Sequence, residues 1–176
     1  MKRTKSTVFW VRQFFPLKLT LTLITVTVFF PTLFTDTQGG DRKPVKPSPK
    51  EKCPVCGMFV AKYPDWVAQI IFKDGSHAVF DGPKDMFKYY FNLSSYNKSK
   101  KLPDIDFIYV TDYYSLNLID GSKAFYVKGS NVYGPMGHEL IPFQKKADAE
   151  EFMTDHSGKS LLGFRDVSYD VIKNLD

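Results

Sequence analysis

The amino-acid sequence predicts an α+β fold over residues 51–176, with mostly antiparallel sheet and short helices packed on one face. Short apolar runs rich in β-branched and aromatic residues are separated by turn residues such as Asp-Gly, a pattern typical of antiparallel hairpins. Two other segments repeat apolar residues at helical spacing. Each half of the region reads as a hairpin, a turn and a short helix, which indicates a faint internal repeat.

The first half opens with a predicted hairpin. Its strands are Trp66–Phe72 and His77–Phe80, and Asp74-Gly75 forms the turn between them. Asp81-Gly82-Pro83 closes the hairpin, and Pro83 suits the first position of a helix because a backbone N–H is not needed there. The predicted helix face follows at i, i+3, i+4 and i+7: Met86, Tyr89, Tyr90 and Leu93.

The second half repeats these signals after a polar stretch. Residues 92–101 are predicted as a loop, and Ile105–Val110 as a strand. Ser115–Ile119 and Ala124–Val127 flank Asp120-Gly121-Ser122, which predicts a second hairpin. The remaining elements are a short strand, a helix face, a last strand and a terminal helix: Glu139–Phe143; Ala149, Phe152, Met153 and His156; Leu161–Phe164; and Val167–Leu175.

Residues 1–35 have the features of a signal peptide or a membrane anchor. The charges before Phe34 are all positive, and residues 19–34 are apolar apart from hydroxyls, which places the N-terminus in the cytoplasm and the rest across the membrane. No small-x-small cleavage site follows the apolar run, so we favour an uncleaved anchor helix. Residues 36–50 are rich in Pro and Lys and predict an extended, solvated linker.

The charge distribution argues against nucleic-acid binding. The formal net charge of the chain is +5, but residues 1–50 contain nine Lys or Arg and only two acidic residues. Residues 51–176 contain 15 basic and 17 acidic residues, so the predicted globular region is slightly acidic. The basic character therefore belongs to the leader, and we expect no nucleic-acid partner.

Three sulfur side chains lie within six residues in Cys53-Pro54-Val55-Cys56-Gly57-Met58. A disulfide closing so small a loop would stabilise the fold by only about 2 kcal/mol. A thiol–disulfide oxidoreductase would place the pair at a helix N-terminus after a strand, and a zinc site would need two more ligands. Thiolate and thioether donors together suit Cu(I), which is the interpretation we favour. The other three remain open alternatives.

A second candidate half-site lies in Tyr133–Glu139. Met136 and His138 stand two residues apart, and glycines and Pro135 flank them, which predicts a loop rather than a buried helix face. Met86 and Met153 instead fall on predicted helix faces and are expected in the core. The sequence contains no Gly-rich phosphate loop, no Gly-x-Ser-x-Gly and no His-Glu-x-x-His, so we do not expect an enzyme.

These residues resemble the NosL family of copper-handling accessory proteins for nitrous oxide reductase assembly. The resemblance covers about residues 51–170 and is carried by several motifs: Cys56-Gly57-Met58, Lys62-Tyr63-Pro64, residues 107–112, Pro135–Phe143, the helix with Ala149 and Phe152, and His156-Ser157-Gly158. It implies two similar ββαβ-type modules, at about 51–100 and 101–170, distantly like part of the organomercurial lyase MerB. By motif, Cys56, Met58 and Met136 match the family's sulfur positions, whereas Cys53 and His138 occur in only some members.

The sequence thus predicts a membrane-anchored Cu(I)-binding protein that faces the periplasm. The expected ligands are Cys53, Cys56, Met58, Met136 and His138. The resemblance implies that a copper acceptor, nitrous oxide reductase or its assembly machinery, is the partner. The alternative function is a periplasmic thiol–disulfide oxidoreductase that uses Cys53 and Cys56.

Overall fold

The computed structural model describes residues 43–175 of the 176-residue chain. The strands are β1 (Ala68–Phe72), β2 (His77–Phe80), β3 (Ile105–Thr111), β4 (Leu118–Asp120), β5 (Phe125–Gly134), β6 (Gly137–Phe143) and β7 (Ser160–Gly163). The α-helices are α1 (Pro83–Phe91), α2 (Leu93–Tyr96), α3 (Lys146–Asp155) and α4 (Tyr169–Lys173). Short 3-10 turns occur at Val60–Lys62, Pro64–Trp66, Leu102–Asp104 and Phe164–Asp166. The predicted α+β class is confirmed.

Two antiparallel sheets repeat one path of the chain. The first has the strand order β2-β1-β3-β4, and the second has the order β6-β5-β7. In each sheet the first two strands form a hairpin, a helix follows, and the next strand pairs on the other side of the first. Both sheets therefore contain a ββαβ unit.

The larger core joins the first sheet to α1 and to parts of the second sheet. Ile70, Phe80 and Phe87 are completely buried in it, and Tyr126 of β5 and Leu140 of β6 belong to the same cluster. A smaller cluster lies between the second sheet and α3: Val127, Ile141, Phe143, Ala149 and Phe152. The predicted core position of Met86 is correct, because its side chain is fully buried.

The predicted second hairpin is wrong. A turn does form at Asp120-Gly121-Ser122, where Asp120 Oδ1 accepts hydrogen bonds from the backbone N–H and the hydroxyl of Ser122. However, β4 pairs with β3, whereas β5 pairs with β6 and β7. The turn therefore links two sheets, and the change from one sheet to the other occurs at residues 121–124 rather than near residue 100.

Two segments that we predict as loops have regular structure. Within residues 92–101, Leu93–Tyr96 forms α2, because the apolar side chain of Leu93 packs into the larger core. Residues 133–139 are not an open loop but the end of the β5–β6 hairpin, in which Tyr133 pairs with His138 and Gly134 with Gly137.

The end of the predicted linker is attached to the domain. The side-chain amide of Gln69 on β1 accepts a hydrogen bond from Val45 N–H at 2.9 Å and donates one back to the Val45 carbonyl. Val45 also packs against the larger core. Residues 43–50 are therefore not a free tether, because a buried amide pairs with their backbone as a neighbouring strand would.

The predicted anchor at 1–35 lies outside the described residues. Between residues 43 and 175 we find no helix with the length and apolar character that crossing a membrane requires.

Candidate metal centre

Cys53 and Cys56 lie in a tight loop that precedes the first sheet. An isolated antiparallel bridge between Lys52 and Phe59 closes the base of the loop. Inside it, Cys53 N–H donates to the Met58 carbonyl and Gly57 N–H donates to the Cys53 carbonyl, both at 2.9 Å. Gly57 has a φ of +80°, a conformation that glycine adopts without strain. The loop brings both thiols to one side of the chain, and neither cysteine belongs to a helix or a strand.

Each thiol contacts a carboxylate of the segment that begins α1. Cys53 Sγ lies 3.3 Å from Asp85 Oδ2, and Cys56 Sγ lies 3.2 Å from Asp81 Oδ1. The four potential ligand atoms of these residues all lie within 4.8 Å of one another. Cys53, Asp81 and Asp85 are buried, and Cys56 is half-buried. Three of the four residues are thus shielded from solvent, and the group is accessible from solvent at Cys56.

The two aspartates are placed by the turn from β2 into α1. Asp81 directly follows β2, Gly82 is the residue before the helix, and Asp85 is in the first helical turn. A Cβ atom on Gly82 would lie 2.2 Å from Glu139 Oε2, so a side chain at this position would displace the Glu139 carboxyl from its place beside the turn. The sequence predicts the helix start at Pro83 but does not predict that Asp81 or Asp85 belongs to the site. No local signal in the sequence marks them, because their partners Cys53 and Cys56 lie 32 and 25 residues away along the chain.

Burial keeps both thiols protonated at neutral pH. It raises the pKa of Cys53 far above the ordinary value, although the backbone N–H groups of Cys56 and Val55 oppose this. Burial also raises the pKa of Cys56, to about 12, against the lowering by the Met58 N–H, and the nearby Asp85 and Asp81 add to the rise. Both cysteines are free rather than joined in a disulfide.

Asp81 has an oxygen without a hydrogen-bond partner. Among the described residues, its Oδ2 is buried and accepts no hydrogen bond. An unpaired buried carboxylate oxygen is costly, and a bound cation is one way to satisfy it. The donor set of two thiols and two carboxylates therefore fits a metal ion, with the sulfurs favouring a soft ion and the oxygens a harder one.

The second predicted half-site lies at the tip of the β5–β6 hairpin. Because Gly134 pairs with Gly137, Pro135 and Met136 occupy the turn itself. The Met136 side chain is 45% exposed, as expected for a residue outside the core. Its backbone carbonyl accepts a hydrogen bond from Lys84 Nζ at 2.8 Å. Lys84 precedes Asp85 in α1, so the hairpin tip is connected to the helix turn that contacts the thiols.

The other two predicted ligands are His138 and Met58. His138 is exposed, and its ring lies against Tyr133 across the hairpin, with 4.8 Å between ring centroids. It is not a member of the close group formed by the two cysteines and two aspartates within residues 43–175. Met58 is half-buried, and its backbone groups support the loop as described. Metal ligation by all five predicted residues, Cys53, Cys56, Met58, Met136 and His138, stays a prediction.

Comparison with known protein families identifies the family to which this chain belongs. The sequence model of the NosL family matches residues 44–172. The chain belongs to the NosL family. This confirms the resemblance drawn from the sequence motifs, and with it the expectation that the protein is not an enzyme.

One curated relative and two solved structures are similar to this chain. The copper-binding lipoprotein NosL of Stutzerimonas stutzeri is 28% identical over 127 residues, which cover 68% of this chain and 63% of that protein. The chain therefore matches less than two thirds of that relative's length. The crystal structure of the copper chaperone NosL from Shewanella denitrificans has a TM-score of 0.63 at 22% identity, covers 73% of this chain and 97% of its own, and shows the same fold. Apo-NosL from Achromobacter cycloclastes, solved by NMR, has a TM-score of 0.43 at 26% identity, covering 60% of this chain and 87% of its own.

Proposed function

We propose that this protein binds Cu(I) outside the cytoplasm and passes it to an acceptor protein. The observation that carries the proposal is the group of Cys53, Cys56, Asp81 and Asp85, with ligand atoms within 4.8 Å of one another. Two thiols that face the same point in a partly solvent-accessible site can chelate a soft metal ion. The relatives named above are described as copper-binding and as a copper chaperone, which supports copper as the metal.

Binding exchanges thiol protons for the metal. Each sulfur that coordinates Cu(I) does so as a thiolate, so one proton per cysteine leaves to solvent and no electron is transferred. In the protein without metal, each S–H points to a carboxylate, which keeps the two sulfurs oriented toward the shared point. Thioethers of Met58 and Met136, and the His138 imidazole, are the proposed additional ligands.

Release proceeds by ligand exchange. A Cu(I) ion held by few ligands accepts a donor from an incoming protein without first losing one of its own. Cys56 is half-buried and Met136 is exposed, so these are the ligands that an acceptor meets first. The proposed acceptor is nitrous oxide reductase or its assembly machinery.

The proposed location is the periplasmic face of a membrane. The leader predicted at residues 1–35 supplies the attachment, and the lipoprotein name of the Stutzerimonas stutzeri relative supports a membrane-associated family. The linker that follows ends where Val45 binds Gln69.

A thiol–disulfide oxidoreductase fits the cysteine pair less well. Such enzymes lower the pKa of the attacking thiol at a helix N-terminus. Here Cys53 and Cys56 are in a loop, and burial raises the pKa of both. A buried thiol that faces a carboxylate is a poor nucleophile.

The direct test is anaerobic Cu(I) titration against a competing chelator. Wild type is compared with Cys56→Ala and with the Cys56→Ala, Met136→Ala double variant. Met153→Ala is the matched control, because Met153 is a half-buried methionine on α3, away from the cysteine loop. We expect the two Cys56 variants to lose Cu(I) in competition and Met153→Ala to keep it. Unchanged binding by the double variant would exclude the assigned site.

A further inference from the structure

The first turn of α1 contacts both candidate half-sites. Asp85 meets Cys53, and Asp81 just before the helix meets Cys56. Lys84, which directly precedes Asp85 in the helix, instead contacts the second sheet. Its backbone N–H donates to Glu139 Oε1 at 2.6 Å, and its Nζ donates to the Met136 carbonyl. One helical turn therefore connects the thiol loop with the hairpin tip.

Glu139, on β6 of the second sheet, caps the N-terminus of α1. The residue before α1 is Gly82, which has no side chain to cap the helix, and Pro83 has no N–H to donate. The Lys84 N–H is thus the first backbone donor of the helix, and the Glu139 carboxyl accepts its hydrogen bond. Glu139 is buried, and the same oxygen also accepts the Leu140 N–H at 2.8 Å. The carboxyl occupies the space beside Gly82 that a Cβ atom would need.

Fixing Glu139 also fixes the hairpin tip. Met136 is three residues before Glu139 in the chain, so their Cα atoms are at most about 11 Å apart. Lys84 adds a second attachment at the tip itself, through a side chain that is also buried. Met136 is exposed, so packing alone does not set its position.

We propose that Lys84 and Glu139 are positioning residues, a latch that holds Met136 within reach of a metal bound by Cys53 and Cys56. The inference rests on the proposed Cu(I) function and extends it to two residues that carry no sulfur. Lys84 and Glu139 then increase the affinity for Cu(I) by positioning the Met136 thioether, in addition to stabilising the helix.

The test is a double-mutant cycle between Lys84 and Met136. Cu(I) affinity is measured anaerobically for wild type, Lys84→Leu, Met136→Leu and the double variant, with thermal unfolding of each metal-free protein as a check of folding. We expect Lys84→Leu to weaken binding about tenfold, as loss of a residue that orients a ligand does. In the Met136→Leu background the same change should have no further effect.

A second arm uses Glu139 and reports on the sulfur directly. Glu139→Gln keeps an oxygen that accepts the Lys84 N–H, so it should preserve affinity, whereas Glu139→Ala should reduce it as Lys84→Leu does. With ¹³C-methyl-labelled methionine, we expect the Met136 methyl signal to shift on Cu(I) addition in wild type and Glu139→Gln, but not in Lys84→Leu. Should Lys84→Leu fail to fold, Glu139→Ala against Glu139→Gln gives the same comparison.

The possible results separate the two proposals. If Lys84→Leu weakens Cu(I) equally with and without Met136, Lys84 acts only on the folded structure and the latch is wrong, while loss of binding in Cys56→Ala still supports the function. If wild type does not bind Cu(I) at all, the proposed function fails and the latch with it. A non-additive cycle together with the methyl shift supports both.

Discussion

The two ββαβ units follow the same path but differ where their helices begin. In the first unit, β1, β2, α1 and β3, every residue from Asp81 to Phe87 is buried. In the second unit, β5, β6, α3 and β7, residues 144–147 at the corresponding turn are all exposed. The candidate metal centre therefore belongs to one helix start out of two, although the backbone topology is shared.

The difference comes from what packs on each helix start. The cysteine loop and Glu139 of β6 both cover the beginning of α1, whereas Lys145 and Lys146 at the start of α3 face solvent. Asp85 and Asp148 occupy the same third position of their helices. Of these two aspartates, only Asp85 contacts a thiol among the hydrogen bonds seen in residues 43–175. A repeated fold provides equivalent positions, and the contacts around each helix start determine which of them forms a candidate metal site.

The cores of the two units differ as well. The cluster under α3 consists of five fully buried residues, and Phe152 lies at its centre against Tyr113 and Phe143. The cluster around α1 is larger and includes residues of both sheets. We therefore expect the second unit to be the less stable of the two.

Removing Phe152 should produce the largest effect and test that difference. Phe152→Ala leaves a cavity in the small cluster, and we expect the free energy of unfolding to fall by about 3–5 kcal/mol. The measurement is urea unfolding combined with hydrogen exchange. Amide protection should be lost first in β5, β6, β7 and α3, while β1 and β3 stay protected. Equal loss in both sheets would show that the units unfold as one.

The buried carboxyl of Glu139 should make the first helix start sensitive to pH. Burial raises its pKa from 4.5 to about 8, against the lowering by the Leu140 and Lys84 N–H groups and the Lys84 charge, while Asp85 adds to the rise. The folded protein thus keeps a proton that the unfolded chain releases above pH 4.5. This contribution to stability is complete below pH 4.5 and is lost as pH rises toward 8.

The measurement is urea unfolding of the metal-free protein at pH 5 and pH 7.5. We expect wild type to lose about 3 kcal/mol more than Glu139→Gln over this range, because glutamine does not titrate. Glu150→Gln is the matched control, since Glu150 is exposed on α3. A wild type that becomes more stable as pH rises would show that Glu139 is ionised and paired instead.

The sequence predicted local structure well where short-range signals decide it. The Asp74-Gly75 hairpin and the Pro83 helix start are both present, because turn chemistry and the missing proline N–H act within a few residues. The thiol pair was also predicted, since its spacing alone places both sulfurs in one loop.

Long-range partners could not be predicted in the same way. The signals around Asp120-Gly121-Ser122 describe a turn correctly, yet the turn does not specify whether the strands beside it pair with each other. Asp85 likewise has no local feature that separates it from Asp148, because its contact with Cys53 spans 32 residues of chain. Lys84 and Glu139 are 55 residues apart and meet only after the second sheet packs on α1.

The smallest expected effect compares the two equivalent aspartates. Asp85 raises the pKa of the Cys53 thiol, after the larger effect of burial. Asp85→Asn should therefore ease loss of the thiol proton and strengthen Cu(I) binding by up to about tenfold, or about 1.4 kcal/mol, whereas Asp148→Asn should leave it unchanged. Competition titration of both variants at one pH measures the difference. Weaker Cu(I) binding in Asp85→Asn would instead show that the Asp85 carboxylate is a ligand of the metal. Oxygen as well as sulfur would then determine which metal ion the site prefers.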